Sequence, residues 1–136
     1  MQPFVDKQRI DKMNVELFKD GMKKLRAEVS EAQTEQFLKY SQLLVEWNKK
    51  MNLTAITDPD GISVKHFLDS VLPLYTVSLS DCVSIADIGT GAGFPGIPLK
   101  IMSPEFKLTL VDSLNKRIRF LSEVVKELKL DDTECI

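Results

Sequence analysis

The sequence contains few of the side chains that carry out most metal and covalent chemistry. Its 136 residues include one histidine, two cysteines and one tryptophan. Cys82 and Cys135 form no C-x-x-C pair, so their spacing indicates neither a zinc site nor a disulfide framework. We therefore expect no metal ion and a reducing, cytoplasmic compartment.

Long apolar runs and an excess of basic charge are also missing. No apolar run is long enough to span a membrane, so we expect no membrane partner. Nucleic-acid enzymes usually carry a basic patch, and a net charge of −2 gives such a function no support. Positive charge occurs only in local clusters, at Lys49 and Lys50 and at Lys116, Arg117 and Arg119.

The most informative segment is the glycine-rich run at 83–96, Val-Ser-Ile-Ala-Asp-Ile-Gly-Thr-Gly-Ala-Gly-Phe-Pro-Gly. An apolar strand leads into Asp87 and then into a series of glycines. Glycine lets the backbone turn tightly and lets a ligand approach it closely. An acid at this place calls for hydrogen-bond donors rather than phosphate, which suits a cationic, hydroxyl-bearing nucleoside such as S-adenosylmethionine.

The same glycines allow other interpretations. Gly91, Gly93 and Gly96 match G-x-G-x-x-G, which is typical of dinucleotide sites and would indicate a nicotinamide-dependent oxidoreductase. The charge of Asp87 near a pyrophosphate would be unfavourable in that case. A P-loop is excluded because no Gly-Lys-Ser/Thr follows the glycines. A ligand-free turn between a strand and a helix also remains open.

A second acid strengthens the prediction of a nucleoside ligand. Residues 106–111 read as a strand that ends at Asp112, about 20 residues past the glycines, where a carboxylate meets ribose hydroxyls in dinucleotide-binding folds. Both NAD and S-adenosylmethionine carry such a ribose. Asp112 or Ser113 is alternatively a cap for the helix that follows, and the two roles are compatible.

The periodicity of apolar residues predicts two regions, residues 1–80 and 81–136. The first is helical, with helices over 14–29, from a Ser30-Gln33 capping box, and from Asp58-Pro59. The second reads strand, helix, strand, helix, strand, with a short helix after Pro95, a longer one over 113–130 and a third strand over 133–136. This order predicts an α/β fold, a helical layer followed by the first half of a Rossmann-like parallel sheet.

Apolar stripes on the helices predict which side chains face inward. In the first region Met51 and Val64 belong to such stripes. In the helix over 113–130 the expected inward residues are Leu114, Ile118, Leu121, Val125 and Leu128. His66, beside apolar residues, is either a hydrogen-bonded structural group or, with Asn52 and Lys65, part of the rim of the nucleoside cleft.

Four motifs together resemble the glucose-inhibited division protein B family of bacterial small-subunit rRNA methyltransferases. They begin at Trp47 (Trp-Asn-Lys-Lys-Met-Asn-Leu-Thr), at His66 (His-Phe-Leu-Asp-Ser), at Asp87 (Asp-Ile-Gly-Thr-Gly-Ala-Gly-Phe-Pro-Gly-Ile-Pro-Leu) and at Leu110 (Leu-Val-Asp-Ser-Leu-Asn-Lys-Arg-Ile). The resemblance implies an enzyme that uses S-adenosylmethionine to methylate N7 of a guanosine in the 530 loop of 16S rRNA. A methyltransferase acting on another substrate stays open.

The resemblance and the residues together give a set of candidate site positions. For the cofactor these are Asp87, Gly89, Thr90, Gly91, Gly93, Phe94, Asp112 and Ser113, with Gly89 and Phe94 carried over from the family's glycine loop. For 16S rRNA they are Lys50, Lys65, His66 and Arg117. No side chain is assigned to a catalytic role.

Further cofactor contacts of the family, an Ala-Glu pair and a later arginine, would lie beyond Ile136. We therefore expect this chain to be an N-terminal part of a longer protein. By itself it should be catalytically silent, bind the cofactor weakly or not at all, and self-associate through the unpaired edge of its third strand.

Overall fold

The computed structural model describes residues 13–76 and 83–136. Its contacts divide the chain into two compact units, the first ending at Asp69 and the second beginning at Ser70. The described residues of the first unit are helical, and those of the second carry a parallel sheet. The predicted order of a helical layer followed by a partial Rossmann-like sheet is confirmed.

The helices of the first unit begin at the capping signals in the sequence. They are α1 (Val15–Lys24), α2 (Glu31–Asn48), α3 (Pro59–Gly61), a π-helix (Ile62–Leu68) and the start of α4 (Asp69–Val71). Ser30 and Gln33 form the predicted capping box at α2. Asp58 caps α3 by accepting a hydrogen bond from the Gly61 amide at 2.8 Å, with Pro59 in the first turn. Both predicted helix starts are confirmed.

Two predicted helix ends are wrong. The helix over 14–29 ends at Lys24, because Arg26 takes a left-handed φ of 59° that stops helical hydrogen bonding. The next helix ends at Asn48, so Met51 lies outside it and is only half-buried. Neither end is marked by glycine or proline, which are the usual stop signals in a sequence.

Aromatic rings from three helices form the core of the first unit. The Phe37 ring lies 4.6 Å from Phe18 on α1 and 5.0 Å from Phe67 on the π-helix, centroid to centroid. Tyr40 stacks on Phe67 at 5.4 Å. All four side chains are fully buried. The stripe on α2 is therefore structural packing, as its spacing predicted.

The π-helix changes which residues face this core. A π-helix takes about one more residue per turn than an α-helix, so an α-helical periodicity fails along it. Val64, expected inward, is 40% exposed, whereas Ser63 is fully buried and bonds both the amide and the carbonyl of Asn14. Gly21 on α1 faces Leu68, and a β-carbon there would overlap that side chain.

The second unit is a parallel α/β sheet. Its elements are α5 (Pro73–Thr76), β1 (Ser84–Ile88), α6 (Gly96–Met102), β2 (Lys107–Val111), α7 (Asn115–Glu127) and β3 (Thr133–Cys135). The strand order is β1-β2-β3, and Asp87 on β1 lies opposite Leu110 on β2. The three predicted strands are confirmed, and the carboxyl ends of β1 and β2 meet at one edge of the sheet.

Helix α7 is shorter than predicted, and its buried residues agree with the predicted stripe only in part. It begins at Asn115, with Leu114 as its N-cap, so neither Asp112 nor Ser113 occupies that position. The fully buried side chains are Phe120, Leu121 and Val124, with Leu128 just beyond the helix nearly so. Leu114 is 49% exposed, which contradicts its predicted inward position. Leu121 and Leu128 are buried as predicted, and Phe120 and Val124 are buried beside them.

Strand β1 is an outer strand of the described sheet and carries exposed apolar side chains. Strand β3 pairs with β2 on one side, and among the described residues no strand pairs with the far side of β1. On β1 and just before it, Ile88 and Val83 are 73% and 77% exposed. An apolar unpaired edge favours pairing with another chain, so self-association stays a prediction, and β1 is a second edge available for it.

Candidate functional site

The glycine loop joins the end of β1 to α6 and extends the sheet's hydrogen bonding. The amides of Gly89 and Thr90 both donate to the carbonyl of Val111, at 2.8 and 3.0 Å. Gly89 and Gly91 have φ values of +70° and +61°, which side-chain-bearing residues rarely adopt. The loop therefore turns sharply at the carboxyl edge of the sheet, where ligands bind in this class of fold.

Two loop glycines leave a stretch of backbone open. A β-carbon built on Gly89 or Gly91 has no heavy atom within 4 Å among the described residues. A side chain at either position would project into that open space. The loop thus has a cradle that a β-carbon would fill and that a ligand can approach closely.

Gly96 is required for a different reason, which is packing. A β-carbon there would lie 2.7 Å from the Leu110 Cδ2 atom and 2.9 Å from the Asp87 Oδ2 atom. Leu110 is fully buried between the helices and the sheet, so it has little room to shift. Gly96 therefore supports the loop from behind rather than lining the cradle.

Gly96→Ala should lower the free energy of unfolding by about 1–3 kcal/mol, the usual cost of overpacking a core. The gain in helix propensity from alanine, about 0.5–1 kcal/mol, does not offset it. Urea unfolding of the full-length protein measures the change, and Ser84→Ala at an exposed position is the matched control. Unchanged stability of the Gly96 variant would show that Leu110 moves freely.

Asp87 closes the glycine loop on itself. Its Oδ2 atom accepts hydrogen bonds from the Thr90 hydroxyl at 2.6 Å and from the Gly96 amide at 2.9 Å. Thr90 is buried, with 3% of its surface exposed. The donors that the sequence predicted for this acid thus come from the loop, and the first amide of α6 is already bonded to a carboxylate.

Asp112 links the same loop to the start of α7. Its Oδ2 atom accepts from the Gly91 amide at 2.9 Å, and its Oδ1 atom accepts from the Leu114 amide at 3.0 Å. The Arg117 guanidinium lies 3.5 Å from Oδ1 and forms an ion pair with it. The structure therefore brings together Gly91, Asp112 and Arg117, which the sequence had assigned to two different ligands.

The pKa of Asp112 lies below its ordinary value. Burial acts to raise this pKa, but the hydrogen bonds from the Leu114 and Gly91 amides and the charge of Arg117 outweigh it. A carboxyl with a depressed folded pKa stabilises the fold above its unfolded pKa, and that stabilisation is lost as the pH falls through the folded pKa. Asp112 is therefore ionised at neutral pH.

The remaining cofactor candidates lie in the same unit. Gly93 and Phe94 continue the loop, and their amides donate to the Thr90 carbonyl at 3.0 and 3.2 Å. Phe94 is half-buried, and Ser113 is exposed next to Asp112. All eight positions fall on the loop 87–94 or directly after β2, at the carboxyl ends of neighbouring strands.

Three of the four RNA candidates belong to the first unit. Lys50 and Lys65 are exposed, as is Asn52. His66 is half-buried, its Nε2 atom lies 2.7 Å from the Thr54 hydroxyl, and burial lowers its pKa. Its geometry is that of a hydrogen-bonded structural histidine, neutral at pH 7, and its contact with RNA stays a prediction.

Asn48 is a residue whose role the sequence did not reveal. Its Oδ1 atom accepts from the amides of Leu53 and Thr54, at 2.7 and 2.9 Å. Thr54 in turn accepts from the Ile56 amide and contacts His66. The exposed lysines Lys49 and Lys50 thus lie on a segment whose ends are fixed by side-chain hydrogen bonds. The sequence pattern behind these hydrogen bonds is Asn-x-x-x-x-Leu-Thr. This spacing indicates a side-chain cap on the loop only when the loop structure is known.

Residues 13–76 and 83–136 contain no cluster of three or more His, Cys, Asp or Glu side chains placed to hold a metal ion. Across the same ranges, no helix combines the length and the apolar character needed to cross a membrane.

A glycine loop after the first strand of a parallel sheet, with an acid after the second, is typical of the first half of a Rossmann-like methyltransferase fold. The chain belongs to the rRNA small subunit methyltransferase G (GidB) family, whose model matches residues 33–136. The resemblance seen in the motifs is therefore confirmed.

Curated relatives carry the same family name. Over 124 residues the chain is 51% identical to the ribosomal RNA small subunit methyltransferase G of Staphylococcus aureus (strain JH9) and to that of Staphylococcus epidermidis. The protein of that name from S. aureus strain Newman is 50% identical over the same length. The match covers 91% of this chain and 52% of each relative, so the chain spans about half the length of these proteins.

Proposed function

We propose that the full-length protein is a cytoplasmic methyltransferase that uses S-adenosylmethionine to methylate N7 of a guanosine in the 530 loop of 16S rRNA. The observation that carries the cofactor assignment is the open cradle at Gly89 and Gly91, with the ionised Asp112 carboxylate bonded to its edge. The family and its relatives' names support methylation of small-subunit rRNA.

The start of α6 argues for S-adenosylmethionine over a dinucleotide. A pyrophosphate would need free amides at this helix N-terminus. Here the Gly96 amide donates to Asp87 and the Ile97 amide donates to the Gly93 carbonyl at 2.8 Å. A phosphate would have to displace a carboxylate of the same charge sign. An adenosyl ligand without phosphates meets no such conflict.

The chain's residues fit an adenosyl group in two places. The open backbone at Gly89 and Gly91 admits close approach of a flat or extended ligand, and the Asp112 carboxylate accepts hydrogen bonds from ribose hydroxyls. When bound, S-adenosylmethionine supplies an activated methyl group on a sulfonium. The loop's part is to hold that group in a fixed orientation, which is the main requirement of an in-line transfer.

Methylation of guanine at N7 requires little catalysis by protein side chains. It carries an in-plane lone pair, so no proton has to leave before it attacks the methyl carbon. Positive charge then develops on the base, which a nearby carboxylate or carbonyl dipole would stabilise. A general base is therefore not required, and no residue of this chain is assigned that role.

Labelled methyl transfer tests the activity directly. The full-length protein should transfer a labelled methyl group from S-adenosylmethionine to 16S rRNA from cells lacking the enzyme, and not to rRNA that is already methylated. S-adenosylhomocysteine should protect the protein against thermal unfolding while NAD does not. Protection by NAD alone would contradict the cofactor assignment, and label in another molecule would contradict the substrate.

We also propose that Lys50, Lys65 and Arg117 contact RNA phosphates. Each lysine or arginine that neutralises a phosphate contributes about one unit to the slope of log affinity against log salt. Replacing each by glutamine, in the full-length protein saturated with S-adenosylhomocysteine, should lower that slope by about one and weaken binding to all RNA sequences alike. Lys19→Gln on α1 is the matched control at an exposed position. An unchanged slope would show that the lysine or arginine is only solvated.

A further inference from the structure

The Asp112 carboxylate is almost fully occupied in this structure. An ionised carboxylate offers about four acceptor positions. Three are used by the Gly91 amide, the Leu114 amide and the Arg117 guanidinium. Only 2% of the Asp112 side chain is exposed. A ribose with two vicinal hydroxyls brings two donors, so at least one of the present donors has to leave before both can bind.

The three donors differ in how easily they can leave. Two are backbone amides at 2.9 and 3.0 Å, and they can move only if the glycine loop or the start of α7 moves. The third belongs to a side chain at 3.5 Å, the longest of the three contacts, and 35% of the Arg117 side chain is exposed. Rotation of that side chain removes a donor without any change in the backbone.

We propose that Arg117 is a displaceable cover over Asp112, which turns out into solvent when the vicinal diol of a nucleoside ribose binds the carboxylate. This inference rests on the proposed function, because it takes S-adenosylmethionine as the source of that ribose. It assigns Arg117 a role at the cofactor site in addition to those of the glycine loop and Asp112.

Two effects of Arg117 on cofactor binding oppose each other. Its charge helps to keep Asp112 ionised, but the two backbone amides do so as well, and Asp112 stays ionised at neutral pH without it. Its ion pair has to break before the ribose binds. A partly exposed ion pair contributes about 0.2–1 kcal/mol, so its removal should tighten cofactor binding by a factor of about 1.4 to 5.

Calorimetric titration of the full-length protein with S-adenosylhomocysteine tests the proposal. This ligand has no sulfonium, so repulsion between a sulfonium and the guanidinium does not enter the comparison. Arg117→Ala should bind it more tightly than the unchanged protein at low salt, by a factor of about 1.4 to 5. The matched control is Lys116→Ala, exposed one residue earlier on α7, which should leave the affinity unchanged.

Salt provides a readout that a purely structural role would not move. Salt screens a partly exposed ion pair, so the affinity of the unchanged protein should rise with ionic strength toward that of Arg117→Ala, whose affinity should not depend on salt. Weaker or equal binding by Arg117→Ala at every salt concentration would overturn the proposal. If the unchanged protein does not bind S-adenosylhomocysteine at all, the proposed function fails, and this inference fails with it.

Discussion

Gly89→Val should abolish binding of S-adenosylmethionine by the full-length protein. The valine side chain would project into the open space beside the loop, where the ligand has to approach the backbone. Valine also has to adopt the φ of +70° found at this position, at a cost of about 1–2 kcal/mol. We therefore expect a melting temperature lowered by a few degrees and a fold that is otherwise retained.

Gly89→Ala separates these two effects. Alanine is less strained than β-branched valine at this positive φ, and it fills less of the cradle. If ligand approach is the reason for glycine, alanine should weaken binding partially and valine completely, and the loss of binding should exceed what the fall in melting temperature of each variant accounts for. Calorimetric titration with S-adenosylhomocysteine measures both. Wild-type affinity in the valine variant would remove this loop from the cofactor site.

Asp112→Ala should weaken S-adenosylhomocysteine binding at least tenfold. A hydrogen bond to a charged group contributes about 1.5–3 kcal/mol, and 1.4 kcal/mol corresponds to a factor of ten in affinity. The variant also leaves the amides of Gly91 and Leu114 without their carboxylate partner, so its melting temperature should be measured in parallel.

Two further variants clarify the result. Asp112→Asn retains a carbonyl acceptor but loses the charge, and its affinity should lie between those of the alanine variant and the unchanged protein. Lys116→Ala, at an exposed position on α7, is the control for a local disturbance. If Asp112→Ala binds as tightly as the unchanged protein, Asp112 serves only to link the glycine loop to α7.

The predictions that succeeded rest on signals within a few residues of each other. The Ser30-Gln33 capping box and the Asp58-Pro59 start each lie inside one helical turn, and both are present. The strand ending in Asp112 and the helix after Pro95 were likewise marked by local apolar runs and by prolines. Short-range hydrogen bonding and sterics decide such features, so the sequence shows them directly.

Some predictions failed because contacts between residues distant in sequence decide the structure. The π-helix forms where Ser63 bonds the backbone of Asn14, a pairing that helical periodicity does not show. The two helix ends failed for a local reason, because no glycine or proline marks them. In the candidate site, the sequence predicted the glycines and the two acids. The hydrogen bond from Gly91 to Asp112 and the ion pair with Arg117 could be seen only in the folded structure.

The hydrogen bonds of Asp87 affect when the glycine loop becomes ordered. One carboxylate oxygen holds the Thr90 hydroxyl near the loop's beginning and the Gly96 amide at its end. The loop-closure entropy is therefore lost when the protein folds and not when a ligand arrives. A ligand that reaches this loop needs little of its binding energy to arrange it, and a chain without the Asp87 carboxylate would transfer that entropy loss to the binding step.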